Sequence, residues 1–256
     1  MDLRVLGCSG GIGGDKRRTT SFLLGEEVLI DAGSGVADLE MDEMAKIRHI
    51  FLTHSHLDHT HMIPLMIDSV FDRLQKPITI HGLPHTLKAL QEHIFNDVIW
   101  PDFSTLPDEE SPVMGYRPMK PGEHETVGDF HFSMIPVNHI VPTVAYAVQY
   151  PGGVFAFSGD TTTNDTLWSE LNRLDRLDHL IIESAFSNSE RALSDVSRHY
   201  CPQLLADDLQ KLKHDPHIYL THAKPGEEEM IFQECCRLIK DRPLSHLSSG
   251  DVLALY

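Results

Sequence analysis

The sequence predicts an α/β fold in which two mixed β-sheets pack face to face with helices outside, an αββα sandwich. Strand-like segments dominate residues 1–60 and again residues 129–183, and helical patterns follow each block. No linker, low-complexity tract or short-period repeat separates the two blocks. We therefore expect one domain over residues 1–256, with an irregular insertion at about residues 96–126 that has poor periodicity and many prolines.

The first block starts with a strand at residues 2–7, followed by a glycine-rich turn at residues 7–14. This turn lacks the Lys-Ser/Thr pair of a phosphate-binding P-loop and no helical pattern follows it, which favours a plain loop between strands. Residues 21–25 and 28–31 predict a hairpin. The apolar run at residues 50–52 predicts a buried strand, and helical spacing begins at residue 61.

The second block places polar residues where its predicted strands end. Alternating apolar residues predict a strand at residues 129–137, and further strands are predicted at residues 142–150, 154–160, 177–183 and 218–222. Open α/β sheets usually hold ligands beyond the carboxyl ends of their strands. The polar residues at these positions are His139, Asp160, Glu183 and His222.

Composition limits the classes of function. Hydrophobic residues make up 41% of the 256 residues and charged residues 23%, as in globular proteins, and no apolar run reaches the ~18 residues of a membrane span. The chain opens with a strand-like pattern and not with a signal peptide, so we expect it in the cytoplasm. The net charge of −17 counts against a long nucleic acid substrate but not against a small phosphate ester.

Four candidate metal ligands fall within six residues: His54, His56, Asp58 and His59. Imidazole and carboxylate groups suit zinc, iron and similar ions. His54 and His56 are two residues apart and can converge on one ion, while Asp58 and His59 are aimed at a second. A surface turn that happens to be rich in histidine is the alternative explanation, and the close spacing favours the metal site.

The pattern His54-x-His56-x-Asp58-His59 resembles the signature of the metallo-β-lactamase superfamily of binuclear hydrolases. The resemblance implies two divalent ions, with zinc expected and manganese or iron as alternatives. A metal-bridging hydroxide would be the nucleophile, since two ions ~3.5–4 Å apart lower the pKa of a bridging water to ~7. Asp31 matches the family's aspartate that supports the metal loop. The implied ligand sets are His54, His56 and His139 for one ion, Asp58, His59 and His222 for the other, and Asp160 as the bridge.

Further resemblances point to the phosphodiesterase branch of this superfamily. An aspartate at position 160 goes with phosphodiesterases and thioesterases, and residues 180–186 resemble the H-E-A-T segment of the tRNA 3′-processing ribonuclease Z. The pattern His199-x-x-Pro202-x-Leu204-Leu205 is similar to that of class II cyclic nucleotide phosphodiesterases. These resemblances imply that His199 is a general acid, oriented by Glu183 and Asp58. A helix cap remains the alternative role for His199, and a salt bridge at a strand end remains the alternative for Glu183.

The expected function is hydrolysis of 3′,5′-cyclic nucleotides to 5′-monophosphates. The alternatives are a ribonuclease Z-like nuclease or other phosphodiester hydrolase, and an iron-dependent redox protein of the same fold. The expected partner is a small phosphodiester, without a membrane or a long nucleic acid, and the resemblance implies a homodimer. Residues 96–126 are acidic and short, unlike the basic arm with which the ribonucleases bind tRNA. Their aromatic residues could stack on a base, form a dimer contact or pack into the core.

Overall fold

The computed structural model describes residues 2–14 and 17–255, and within them fourteen strands and eight α-helices. The strands are β1 (Asp2–Gly7), β2 (Ser21–Leu24), β3 (Val28–Ile30), β4 (His49–Phe51), β5 (Ile78–Gly82), β6 (Met114–Pro118), β7 (His124–Val127), β8 (Phe130–Val137), β9 (Thr143–Tyr150), β10 (Gly153–Phe157), β11 (His179–Glu183), β12 (His217–Thr221), β13 (Leu244–His246) and β14 (Val252–Ala254). The helices are α1 (Met41–Met44), α2 (Leu57–Thr60), α3 (Met62–Val70), α4 (Pro84–His93), α5 (Thr166–Leu171), α6 (Arg191–Ser197), α7 (Pro202–Leu209) and α8 (Glu228–Leu238).

The chain divides into two compact units, and each is built on one mixed sheet. The first unit comprises residues 18–120 together with the strands β1 and β14. Its seven described strands run in the order β14-β1-β2-β3-β4-β5-β6. Strands β1, β2 and β14 pair antiparallel, whereas β3 to β6 are parallel. Because β3 and β4 are parallel, the segments that follow them leave the sheet at the same edge.

The second unit contains residues 121–248 and the glycine-rich segment from residue 8. Its seven described strands run in the order β13-β12-β11-β10-β9-β8-β7. Strands β10 to β13 are parallel, and β9 is antiparallel to both β8 and β10. Strand β8 therefore points in the same direction as β10, β11 and β12. The carboxyl ends of these four strands lie at one edge of the sheet, which is where the predicted polar residues begin.

Each unit buries its own apolar core between its sheet and its helices. In the first unit, Ile50 and Ile80 of the sheet pack with Ile63 and Ile67 of α3. The helical spacing of α3 thus buries one face, as its sequence predicts. A second core of the same kind lies in the other unit and contains Ala156, Ile182, Trp168, Leu205 and Ile231.

The prediction of an α/β fold with two mixed sheets and helices is confirmed, while the prediction of one domain stays a prediction. Residues 96–126 are more regular than expected, because β6 pairs with β5 and β7 pairs with β8. Phe103 is buried against Phe71 and Phe95, and Trp100 packs against the same core. Core packing is therefore the role of these aromatic residues. Among the described residues, no helix combines the length and apolar character needed to cross a membrane.

Candidate active site

Asp31 organises the ligand segment of the first unit. It follows β3 directly, is fully buried, and has a backbone φ of 56° that non-glycine residues rarely adopt. Its Oδ1 accepts the Thr53 amide at 2.8 Å, and its Oδ2 accepts the Thr53 hydroxyl at 2.8 Å and Nδ1–H of His59 at 2.7 Å. Burial raises the pKa of Asp31, although His59 and Thr53 oppose that shift. One carboxylate therefore fixes both ends of the loop after β4, which agrees with the supporting role predicted for it.

The same contacts set the tautomers of two predicted ligands. Because the Thr53 hydroxyl donates to Asp31, it accepts the hydrogen bond from Nδ1 of His54 at 3.0 Å. His59 likewise donates from Nδ1 to Asp31. In both neutral rings Nε2 then carries the lone pair, as in a histidine that binds a metal.

The one-turn helix α2 separates the four ligands of this segment into two pairs. His56 has extended backbone angles immediately before α2, and donor atoms of His54 and His56 lie within 4.8 Å of each other. Asp58 and His59 are consecutive in α2, with Oδ2 of Asp58 3.8 Å from Nε2 of His59. The structure brings together the pairs that the spacing predicts.

Gly33 allows α2 to approach the loop after β3. A Cβ atom at this position would lie 2.3 Å from the carbonyl oxygen of Asp58 and 2.4 Å from Oγ1 of Thr19. The amide of Ala32 also donates to the carbonyl of His59 at 2.7 Å. Close packing at Gly33 and the hydrogen bond from Ala32 thus hold the backbone of the ligand segment, in addition to the side-chain hydrogen bonds of Asp31.

The second unit supplies the other three predicted ligands from strand ends. His139 follows β8, Asp160 follows β10 and His222 follows β12. Donor atoms of His139 and Asp160 lie within 4.8 Å of each other, and Oδ2 of Asp160 is 3.3 Å from Nε2 of His222. Nδ1 of His139 donates to the carbonyl of Arg198 at 3.0 Å, so Nε2 carries the lone pair in its neutral ring as well.

Glu183 and His199 form a buried pair beside these ligands. Nδ1 of His199 lies 2.7 Å from Oε1 of Glu183, which also accepts the Thr161 amide at 2.8 Å. The Tyr200 amide donates to Oε2 at 3.2 Å. Donor atoms of Asp160, Glu183 and His199 all lie within 4.8 Å of one another. Glu183 thus contacts the ring of His199, and the orienting role of Glu183 stays a prediction.

The electrostatics of the pair favour a proton on His199. Burial by itself lowers the pKa of His199, but the negative charge and hydrogen bond of Glu183 outweigh it, so the pKa is raised. Burial also raises the pKa of Glu183, with His199 opposing the shift and Asp160 adding to it. A protonated ring held by Nδ1 presents Nε2–H as a proton donor.

The alternative of a helix cap for His199 is excluded, because the N-cap of α7 is Cys201. Asp58 lies in the first unit, and its orienting role toward His199 stays a prediction. Sequence reasoning missed Arg198, which donates to the carbonyl of His139, and Lys224, which donates to the carbonyl of Gly10. Their positions next to His199 and shortly after His222 are the only signals in the sequence that could have found them.

The donor set suits divalent metal ions. Histidine nitrogens and carboxylate oxygens are ordinary ligands of zinc, manganese and iron. His54, His59 and His139 each donate from Nδ1 to an oxygen, the contact that orients metal-binding histidines in proteins. The residues present therefore fit the predicted ions, whose identity the donor types leave open.

Comparison with known proteins supports the predicted family. Residues 26–225 match the family described as "Beta-lactamase superfamily domain". The 3′,5′-cyclic-nucleotide phosphodiesterase 1 of Saccharomyces cerevisiae is 36% identical over 91 residues, which are 35% of this chain and 24% of that protein. A ribonuclease Z of Methanopyrus kandleri is 28% identical over 156 residues, which are 58% of this chain and 50% of that protein. The chain thus spans half or less of these curated relatives.

Similarity of structure extends further than similarity of sequence. The crystal structure of unliganded yeast PDE1 matches with a TM-score of 0.84 at 19% identity, over 99% of both chains. The prediction of a phosphodiester hydrolase from the metallo-β-lactamase superfamily is in accord with the names of these relatives. The family match covers most of the chain and includes all seven predicted ligands, so the chain belongs to the beta-lactamase superfamily domain family.

Proposed function

We propose that this protein is a binuclear metal-dependent phosphodiesterase that hydrolyses 3′,5′-cyclic nucleotides to 5′-monophosphates. The observation that carries the proposal is the Glu183–His199 pair, which lies within 4.8 Å of Asp160. Hydrolysis of an alkyl phosphodiester needs a proton for the departing alkoxide, and a protonated histidine beside the ligands can supply it.

We propose the ligand sets implied by the family pattern. One ion would be held by His54, His56 and His139, the other by Asp58, His59 and His222, and Asp160 would bridge them. The support is the pairing of donors within each unit, the tautomers set by Asp31 and Arg198, and the position of all seven residues inside the family match. Zinc is the proposed metal, because three imidazoles and carboxylates suit it.

The chain's own residues would perform the proton transfer and the positioning. When bound, the two ions would activate water and neutralise charge on the phosphoryl oxygens. His199 would donate its Nε2 proton to the leaving oxygen, while Glu183 holds Nδ1 and balances the charge. The Thr161 and Tyr200 amides keep Glu183 in place during this transfer.

The negative charge of the chain favours a small substrate over a long nucleic acid. The net charge of −17 disfavours a polyanion, and residues 96–126 carry the acidic cluster Asp108-Glu109-Glu110. The relative in Saccharomyces cerevisiae is named for cyclic nucleotides. We also propose a homodimer, which sedimentation analysis would test.

The test is turnover of 3′,5′-cAMP and 3′,5′-cGMP by zinc- or manganese-loaded protein, with His56→Ala as the blank. We expect metal-dependent release of 5′-monophosphates by the parent protein and none by the variant. Hydrolysis of bis(p-nitrophenyl) phosphate without turnover of either cyclic nucleotide would support the assignment as a phosphodiesterase. It would overturn the assignment of cyclic nucleotides as the substrate.

The second candidate is a ribonuclease Z-like nuclease. It is favoured by the 28% identity to a ribonuclease Z over 156 residues. Metal-dependent cleavage of a tRNA precursor, or of single-stranded RNA, at a rate above that of cyclic nucleotides would establish this alternative. The acidic character of the chain leads us to expect little cleavage of either RNA.

A further inference from the structure

Arg198 directly precedes the proposed general acid His199 and contacts the proposed metal ligand His139. It ends α6 with φ 54° and ψ 53°, a left-handed conformation that costs a non-glycine residue on the order of 1 kcal/mol or more. Its carbonyl accepts Nδ1–H of His139 at 3.0 Å, and its Nη1 donates to the carbonyl of His139 at 2.9 Å. The exposed guanidinium is thereby held against the backbone of His139, whose ring centroid lies 4.9 Å from that of His199, and this contact uses one of its five N–H donors.

Lys224 is a second cation in the surroundings of His199. Its amide donates to Ala185 at 3.0 Å, and its Nζ donates to the carbonyl of Gly10 at 2.9 Å. Nζ also lies 5.7 Å from the ring centroid of Phe186, which itself packs 5.8 Å from the ring of His199. The ring centroid of His199 lies 4.9 Å from that of His139 and 5.4 Å from that of His222. Arg198 is anchored to His139, and Lys224 follows His222 by two residues.

The two cations also have the same kind of hydrogen-bond partner. Within residues 2–14 and 17–255, neither Arg198 nor Lys224 forms an ion pair with a carboxylate, and both donate to backbone carbonyls. Some other cations of the same unit do have carboxylate partners, for example Arg17 with Glu228 and Lys211 with Asp165. In a chain of net charge −17, two uncompensated cations beside a proposed proton donor indicate a place where an anion binds.

We infer that Arg198 and Lys224 form an anion subsite near His199 that binds the phosphoryl group of the nucleotide. The inference rests on the proposed function for the identity of the nucleotide, and it names residues beyond the metal ligands and the general acid. A 5′-monophosphate carries close to two negative charges near neutral pH, and each cation can give it a charge-assisted hydrogen bond. The subsite therefore distinguishes phosphorylated nucleosides from uncharged ones.

The experiment measures equilibrium binding by calorimetry, which needs no turnover. Zinc-loaded parent protein, Arg198→Gln and Lys224→Gln are titrated with 5′-AMP and with adenosine. Glutamine retains an amide donor for the backbone carbonyls of His139 and Gly10, so the substitution mainly removes charge. We expect each variant to bind 5′-AMP about tenfold more weakly than the parent, with zinc content and adenosine binding unchanged. The conservative variants Arg198→Lys and Lys224→Arg should restore most of the affinity.

Matched controls separate a local effect from a change of net charge. Lys213→Gln and Arg237→Gln remove the same charge from exposed positions of the same unit, and we expect both to bind 5′-AMP as the parent does. Three results would each overturn the subsite: no binding of 5′-AMP by the parent, unchanged affinity in both site variants, or an equal loss of affinity for adenosine.

The outcome is independent of the proposed function. If the parent binds 5′-AMP through these cations but does not hydrolyse cyclic nucleotides, the subsite stands and the function fails. If the parent hydrolyses cyclic nucleotides but the site variants bind 5′-AMP with the parent's affinity, the function stands and the subsite fails.

Discussion

Nδ1 of His199 lies 2.7 Å from Oε1 of Glu183, and both side chains are buried beside Asp160. A cationic partner stabilises the charged form of a buried carboxylate. An anionic partner stabilises the protonated form of a histidine, which is the form that can donate a proton. Each charge is therefore stabilised by the other. The contact uses Nδ1 of His199 and leaves Nε2 outside the pair.

We expect His199→Ala to slow turnover of cyclic nucleotides by roughly 10²–10⁴-fold, the usual contribution of a general acid. Metal content should be unchanged, because His199 is outside the proposed ligand sets. An activated diester such as bis(p-nitrophenyl) phosphate needs less proton assistance and should lose much less rate. Parallel assays of both substrates check the prediction, and undiminished cyclic nucleotide turnover by the variant would contradict it.

We expect Asp31→Asn to weaken zinc affinity by roughly 10–100-fold, the usual cost of losing a carboxylate that orients a metal-binding histidine. Oδ1 and Oδ2 of Asp31 both accept hydrogen bonds, so either orientation of an amide would set an N–H group against a donor from Thr53 or His59. Competition with a chelator of known affinity measures the change. The exposed substitution Asp42→Asn is the control, and equal zinc affinity in parent and Asp31→Asn would refute the role.

Gly10→Ala should disturb the position of His222. A Cβ atom at residue 10 would lie 2.3 Å from the carbonyl oxygen of His222 and 3.2 Å from its ring. The amide of Gly10 also donates to Ala223 at 3.0 Å, so the loop has little freedom to withdraw. We expect weaker zinc binding and at least about tenfold slower turnover, because misplaced catalytic groups cost rates of this order or more.

The control for this substitution is Gly115→Ala. A Cβ atom at Gly115 has no neighbour within 4 Å, and its backbone does not require glycine. We expect that variant to keep the parent's zinc affinity and turnover. Parent-like behaviour of Gly10→Ala in both measurements would show that the glycine-rich loop does not hold His222.

We expect His81 to make the protein less stable in acid. Burial, with the nearby positive groups of His49 and Arg117, lowers the pKa of His81 to about 3. The unfolded chain binds a proton here below about pH 6.5 while the folded chain does not. Stability from this residue is thus fully present above pH 6.5 and is lost as the pH falls toward 3. Between pH 6.5 and 5 the loss is about 2 kcal/mol.

We expect His81→Phe to remove most of this decline, because phenylalanine can keep the stacking on Phe51, whose ring centroid lies 4.2 Å away. Urea unfolding gives the free energy of unfolding of parent and variant at pH 6.5 and pH 5. The decline between the two pH values is then compared. The exposed substitution His85→Phe should show the parent's decline. An equal decline in His81→Phe would mean that other groups cause the acid sensitivity.

Much of the site could be predicted from sequence. The spacing of His54, His56, Asp58 and His59 predicts paired ligands because short-range geometry decides which side chains of a turn can converge. His139, Asp160 and His222 were implied by the resemblance to the superfamily, and the apolar runs supported it because they place each of these residues at the end of a predicted strand. Regularity within residues 96–126 was not predictable, since β6 and β7 have weak patterns and exist because a neighbouring strand pairs with them.

The sequence by itself thus determined the fold class, and it gave the candidate metal ligands and the candidate proton donor. Only the tertiary structure decided how those residues are held. Asp31 reaches His59 across 28 positions of the chain, and Arg198 reaches His139 across 59. Contacts of this kind depend on strand pairing and on the left-handed backbone at Asp31, Arg198 and His222. No local pattern encodes them, because the energy that stabilises such a conformation comes from the surrounding fold.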